Sequence, residues 1–204
     1  MKVNSKSVLL PIIVTIVYAI LILASIIIRL GNAIPPKPLI AAIEVTYILP
    51  IIYAVIVLKH LNEKKLTVSI YTFYIFFDIA LVFYYFLSKP SPVQYVVYVV
   101  LGALSVTMIN VLIIQAFNLK TRQLVRPFCV YGFVFLLIAF LKLVGLLVMI
   151  SYYGKTVFAA SIPAEILLPL AMLYMFFGIK KYLKSVEADQ ASSLSSNNEE
   201  EISL

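Results

Sequence analysis

The sequence is short of the residues on which most catalytic centres are built. It has one cysteine, Cys129, one histidine, His60, and no tryptophan. A single cysteine makes no internal disulfide and leaves the redox compartment open. One cysteine and one histidine do not make a structural or catalytic zinc set. A Ser-His-Asp arrangement would have to use His60, which sits in the lysine-flanked stretch KHLNEKK, where a solvated ring is the default. None of the six glycines forms a phosphate-binding loop or a GxxxG pair. No metal or cofactor is therefore expected, and the chemistry left open is acid–base work by carboxylates. Charge is also scarce, at 12% of residues against about 25% in soluble domains. The net charge of +7 does not point to nucleic acid, because the basic residues gather in short loops beside apolar runs.

What is abundant is hydrocarbon. Hydrophobic residues make up 63% of the chain, and the mean hydropathy is +1.07. These values imply an integral membrane protein of one domain, with the lipid bilayer as its first partner. Six apolar stretches are long enough to cross a bilayer as helices, at residues 8–28, 39–58, 66–87, 93–117, 128–153 and 157–179. The first is too long for a signal-peptide core and is expected to remain as a membrane helix. The fold class is all-α, a six-helix transmembrane bundle over residues 1–184. The polar, acidic stretch 185–204 is expected to lack fixed structure.

Basic residues set the expected orientation. Lys2, Lys6, Lys59, Lys64, Lys65, Lys120, Arg122, Arg126, Lys180, Lys181 and Lys184 fall on the side of the termini, and Arg29, Lys37, Lys89 and Lys155 on the other. Eleven against four places both termini in the cytoplasm, and a bacterial inner (plasma) membrane is the expected location. Loops of three to ten residues make sequential helices antiparallel neighbours.

The third span, LTVSIYTFYIFFDIALVFYYFL, carries Asp78 near its middle. A carboxylate at that depth costs roughly 2.5–3.5 kcal/mol on insertion scales and has to face protein or water. Tyr71, Tyr74, Asp78 and Tyr85 share one helical face. Glu44, Lys142 and Glu165 fall on three further spans, from the midplane toward the outer surface. Four ionisable groups on four helices imply a shared polar cavity in the outer half, with Asn110 deeper in the bundle. Lys142, as the one cation within a span, is the expected counter-ion of Asp78. The pair reads equally as a structural tie. Asn110 reads as helix glue as readily as a ligand group, and Glu44 as a wetted charge at headgroup level.

The run KPL at Lys37–Leu39, FFDIAL at Phe76–Leu81 and GALSVTMINVL at Gly102–Leu112 resembles the YhhN, lysoplasmalogenase-like membrane proteins. The resemblance covers roughly the first 120 residues. It implies cleavage of the vinyl ether bond of lysoplasmalogens within the bilayer, with intramembrane acids donating protons or activating water. Carried over by position, Asp78 stands for the family's helix-3 aspartate and Lys37 for its Lys-Pro lysine. Asn110 stands where the family has a histidine. Glu44 or Glu165 is the expected second carboxylate, and a lipid or other small molecule the expected substrate. Two other readings stay open: a small transporter or substrate-binding component, with Pro50 and Pro169 breaking or kinking helices, and a non-catalytic accessory subunit whose charges bind partner helices.

Overall fold

The computed structural model describes residues 3–31, 33–87, 92–148 and 162–202. Six long helices follow one another: α1 Leu9–Leu30, α2 Lys37–His60, α3 Lys65–Leu87, α4 Pro92–Phe117, α5 Arg122–Val148 and α6 Leu167–Ile202. Each contains a stretch apolar and long enough to cross a membrane. The chain is thus an all-helical, multi-pass membrane protein.

Each helix packs against its neighbours in sequence, and α6 packs back against α1. The result is a closed ring of six. Its outside is a hydrocarbon surface: Phe133, Leu137 and Phe140 on α5, and Val96, Val100 and Leu104 on α4, are exposed at helical spacing. Such stripes would be a liability in water and are what a bilayer requires.

The filling of the ring is uneven. At the end holding the termini, Leu58, Leu124, Phe128, Phe176 and Ile179 are fully buried and form a solid core. Two glycines let helices close up there. A Cβ on Gly132 would lie 2.6 Å from Ile113 Cγ1, and one on Gly178 would lie 2.6 Å from Pro127 Cγ. The Pro127 ring, in the second turn of α5, therefore seats in a notch that Gly178 leaves in α6.

Several helix limits differ from the sequence-based expectation. Helix α5 begins at Arg122 rather than at Phe128, because a residue from another loop caps it. The Glu63 carboxylate accepts the backbone N–H groups of Lys120 at 2.8 Å and Thr121 at 2.9 Å. These amides flank the helix start, where donors have no partner within the helix. The expected last span is interrupted. A helical turn at residues 162–164 gives way to a turn at Glu165 and Ile166, and α6 starts at Leu167. Pro169 cannot donate to the Glu165 carbonyl four residues back, so that helical hydrogen bond is missing at the interruption. Leu168 N–H takes that carbonyl instead, at 3.2 Å.

Residues 185–202, expected without fixed structure, continue α6 as helix to Ile202. Ser5 donates from its backbone N–H and its hydroxyl to the two Glu187 oxygens, both at 2.6 Å, which joins the N-terminal segment to this extension. Both termini accordingly share one end of the bundle. The expected ends of the fifth span (149–153) and the start of the sixth (157–161) lie outside the described residues.

Candidate functional site

The half of the ring away from the termini is hollow. A cavity of about 640 Å³ lies there, bounded by all six helices and the α1–α2 loop. Glu44, Tyr74, Asp78, Lys142 and Glu165 all line it. Five of the seven residues expected at a site thus meet in one space. Glu44 is about 10 Å along α2 from its start, and Asp78 about 13 Å from the far end of α3, at about 1.5 Å per residue.

Two residues do not reach it. Lys37 is exposed as the first residue of α2, at the rim of the bundle. Asn110 is also exposed, and its side-chain amide donates to the Val106 carbonyl at 2.8 Å. One residue of helix turns a side chain by about 100°. Buried Ile109 therefore lines the cavity while Asn110 faces away.

The charges pair differently from the expectation for Asp78 and Lys142. Lys142 Nζ lies 3.1 Å from Glu165 Oε1, and the Arg29 guanidinium grips the same carboxylate with both terminal nitrogens, Nη1 at 3.0 Å. Arg29, expected in a loop, is in the last turn of α1, and its Nε donates to the Ser25 carbonyl at 3.4 Å. The break before α6 places Glu165 where α1 and α5 can both reach it. Glu165 is buried, whereas the Lys142 side chain is 52% exposed. Two cations around one carboxylate leave this corner with one positive charge in excess.

The two remaining carboxylates have no such partner. Neither Asp78 nor Glu44 is in an ion pair among the described residues. Asp78 Oδ2 is buried and accepts no hydrogen bond. Buried polar oxygens are almost always bonded, so an orphan aimed at a cavity marks a place for a ligand, a water or a proton.

Below Asp78, toward the termini, the cavity has an aromatic floor. The Tyr47 hydroxyl is 2.8 Å from that of Tyr74 and 3.3 Å from that of Tyr131. The Phe135 ring packs among all three, with centroids 5.8–6.0 Å away. Tyr18 of α1 stacks beside Tyr47 at 5.7 Å. The hydroxyls satisfy one another and close the hollow against the solid core.

Sequence reasoning missed Arg29, Tyr18, Tyr47 and Tyr131. A usable signal existed for some of them. Tyr18, Ile22, Ser25 and Arg29 recur at spacings of four, three and four, a single face of α1, and all four line the cavity. Tyr47 follows Glu44 by three residues, on its face.

Among the described residues, no group of three or more His, Cys, Asp or Glu side chains is placed to hold a metal ion. The chain matches no protein-family model, no curated protein and no solved structure. Function has to be argued from the cavity itself.

Proposed function

We propose that the protein is a membrane hydrolase of the lysoplasmalogenase type, with the cavity as its active site and an amphipathic ether lipid as its substrate. The observation that carries this reading is the orphaned Asp78 carboxyl beside Glu44, two carboxylates without cations facing one hollow. Vinyl ether hydrolysis asks for little else. Asp78, in its acid form, delivers a proton to the vinyl carbon distal to the ether oxygen, and the oxygen-bearing carbon becomes an oxocarbenium ion. Glu44 removes a proton from the water that adds there. The hemiacetal then splits into a long-chain aldehyde and the glycerol alcohol with no redox step, as Asp78 takes the hydroxyl proton and Glu44 returns its proton to the departing glycerol oxygen, which restores both acids. The excess positive charge at Arg29, Lys142 and Glu165 suits an anionic headgroup, which would fix the lipid's register. The basic residues on the side of the termini support a cytoplasmic location for both termini and a cavity that opens outward.

The test is purified protein in mixed micelles with a lysoplasmalogen. Release of aldehyde that disappears in Asp78→Asn is the expected result. No release from any vinyl ether lipid would overturn the reading.

One observation favours a second reading. The helix break at Glu165–Ile166 resembles the discontinuous spans of transporters, whereas α2 runs unbroken through Pro50. Solute uptake into proteoliposomes driven by a pH gradient, with no lipid turnover, would select it.

A further inference from the structure

A second cavity, of about 310 Å³, adjoins the first. The two share Glu44, Asp78, Tyr98, Gly102 and Ser105. The main cavity is ringed by six helices, but the remaining walls of this one come from α3 and α4 alone. Leu81, Val82 and Phe86 stand on one side and Leu101 on the other. Every residue lining it is half-buried, so it is a cleft and not a sealed void. It lies between the two least buried spans of the bundle, flanked by the exposed Phe83, Val100 and Leu104.

We infer that this cleft is a lateral portal that holds the hydrocarbon chain of a membrane amphipath, with the junction between chain and headgroup at Asp78 and Glu44. Three features point to a chain as the occupant. The cleft opens where the surroundings are lipid, which supplies hydrocarbon and not water. Its outer walls are apolar, and its carboxylates stand only at the inner end. Of its three hydroxyls, Ser105 Oγ already donates to the Leu101 carbonyl at 2.9 Å, Tyr98 accepts from Gln94 Nε2 at 2.7 Å, and Tyr84 stands near the far end of α3, so the stretch between is left to hydrocarbon. Gly102 contributes space by having no side chain, since a Cβ there would lie 3.2 Å from Leu143 Cδ1. Near the far end of α3, the Tyr84 and Tyr98 rings meet edge to face at 5.7 Å and bound the cleft. A chain lying here points its polar end toward Arg29 and Lys142 across the main cavity. The portal rests on an amphipath occupying that cavity, but not on the amphipath being cleaved.

The experiment uses the full chain in lipid nanodiscs and a lysophospholipid with a saturated ether bond, which cannot be hydrolysed, and a diazirine in mid-chain. After irradiation, labelled peptides are mapped by mass spectrometry. Labels on Val82 and Leu101 that unlabelled lysophospholipid competes away, and that fall severalfold in Ser105→Phe but not in the lipid-facing Leu104→Phe, are expected. Should Ser105→Phe fail to fold, Val82→Phe narrows the opposite wall and gives the same reading. Labels confined to Phe83, Val100 and other outward positions, or cleft labels indifferent to competitor, would overturn the portal. Aldehyde release from a cleavable lipid is scored separately. Competed cleft labels without turnover would sink the hydrolase and keep the portal, and turnover without cleft labels would do the reverse.

Discussion

Asp78 and Glu165 are both acidic residues within membrane spans, and their surroundings give them opposite roles. Glu165 is the hub of the only ion cluster in the spans among the described residues, tied to Arg29 and Lys142. Removing it with Glu165→Gln leaves the largely buried Arg29 guanidinium without a counter-charge. Losing one partner of a buried pair costs roughly 3–5 kcal/mol, and the half-exposed Lys142 should hold the loss to the lower part of that range. Thermal unfolding in detergent should show a clear drop, and Lys142→Met a smaller drop than Arg29→Met. Asp78 has no partner to lose. Asp78→Asn should leave the unfolding temperature unchanged or raised while lipid turnover falls by about a hundredfold or more. An equal loss of stability in both carboxylate variants would show that Asp78 is also a structural tie. Which acid would be which could not be read from the residue types. Both lie within apolar stretches, and only the third dimension shows that Arg29 reaches one and nothing reaches the other.

At the scale of elements, two contacts define helices that local sequence leaves vague. Glu63 is a buried glutamate in a lysine-rich loop, and its oxygens receive two amides at the start of α5. Glu63→Ala should cost about 0.5–2 kcal/mol, the usual range for a lost helix cap. Hydrogen exchange at the Lys120 and Thr121 amides should rise in that variant while the α1 amides stay protected. Protection unchanged at both amides would show that water or another group replaces the cap. The Pro127–Gly178 seat makes a separate prediction. Gly178→Ala presses a methyl group into the proline ring and should cost about 1–3 kcal/mol. In a Pro127→Ala background the same substitution should cost much less, and a double-mutant cycle of unfolding free energies measures the difference. These limits were only partly legible. Pro169 signals a break in the last span, and its position in the sequence nearly locates it. The early start of α5 has no local signal, because its cap comes from a residue 58 positions before Thr121.

At the scale of the whole molecule, the ring follows from length and hydropathy. Six apolar stretches joined by short loops leave little choice but antiparallel neighbours, and closure of α6 on α1 brings the ends together. Orientation can be tested with the single native thiol as an asset, since Cys129 is buried. A membrane-impermeant maleimide should label Lys37→Cys in intact cells and Asp189→Cys only after permeabilisation. The opposite pattern would turn the cavity toward the cytoplasm. The unevenness of the bundle, solid at one end and hollow at the other, was only half visible in the sequence. Glu44, Lys142, Asp78 and Glu165 clustered at one depth announced a polar space. Its depth limit is set by the Tyr47, Tyr74 and Tyr131 hydroxyls, which come from three helices.

The sequence alone determined the class of the molecule, its six spans and the Asp78 stretch as the place where hydrocarbon is interrupted. Those properties depend on local runs of apolar side chains and on the cost of burying charge, both of which are read along the chain. The tertiary structure decided the partners. Arg29 and Lys142 close on Glu165, Asn110 turns away from the cavity, and Asp78 is left unpaired. Pairing depends on which helix faces which and at what rotation, and a carboxylate's character in a membrane is set by what stands within a few ångströms of it.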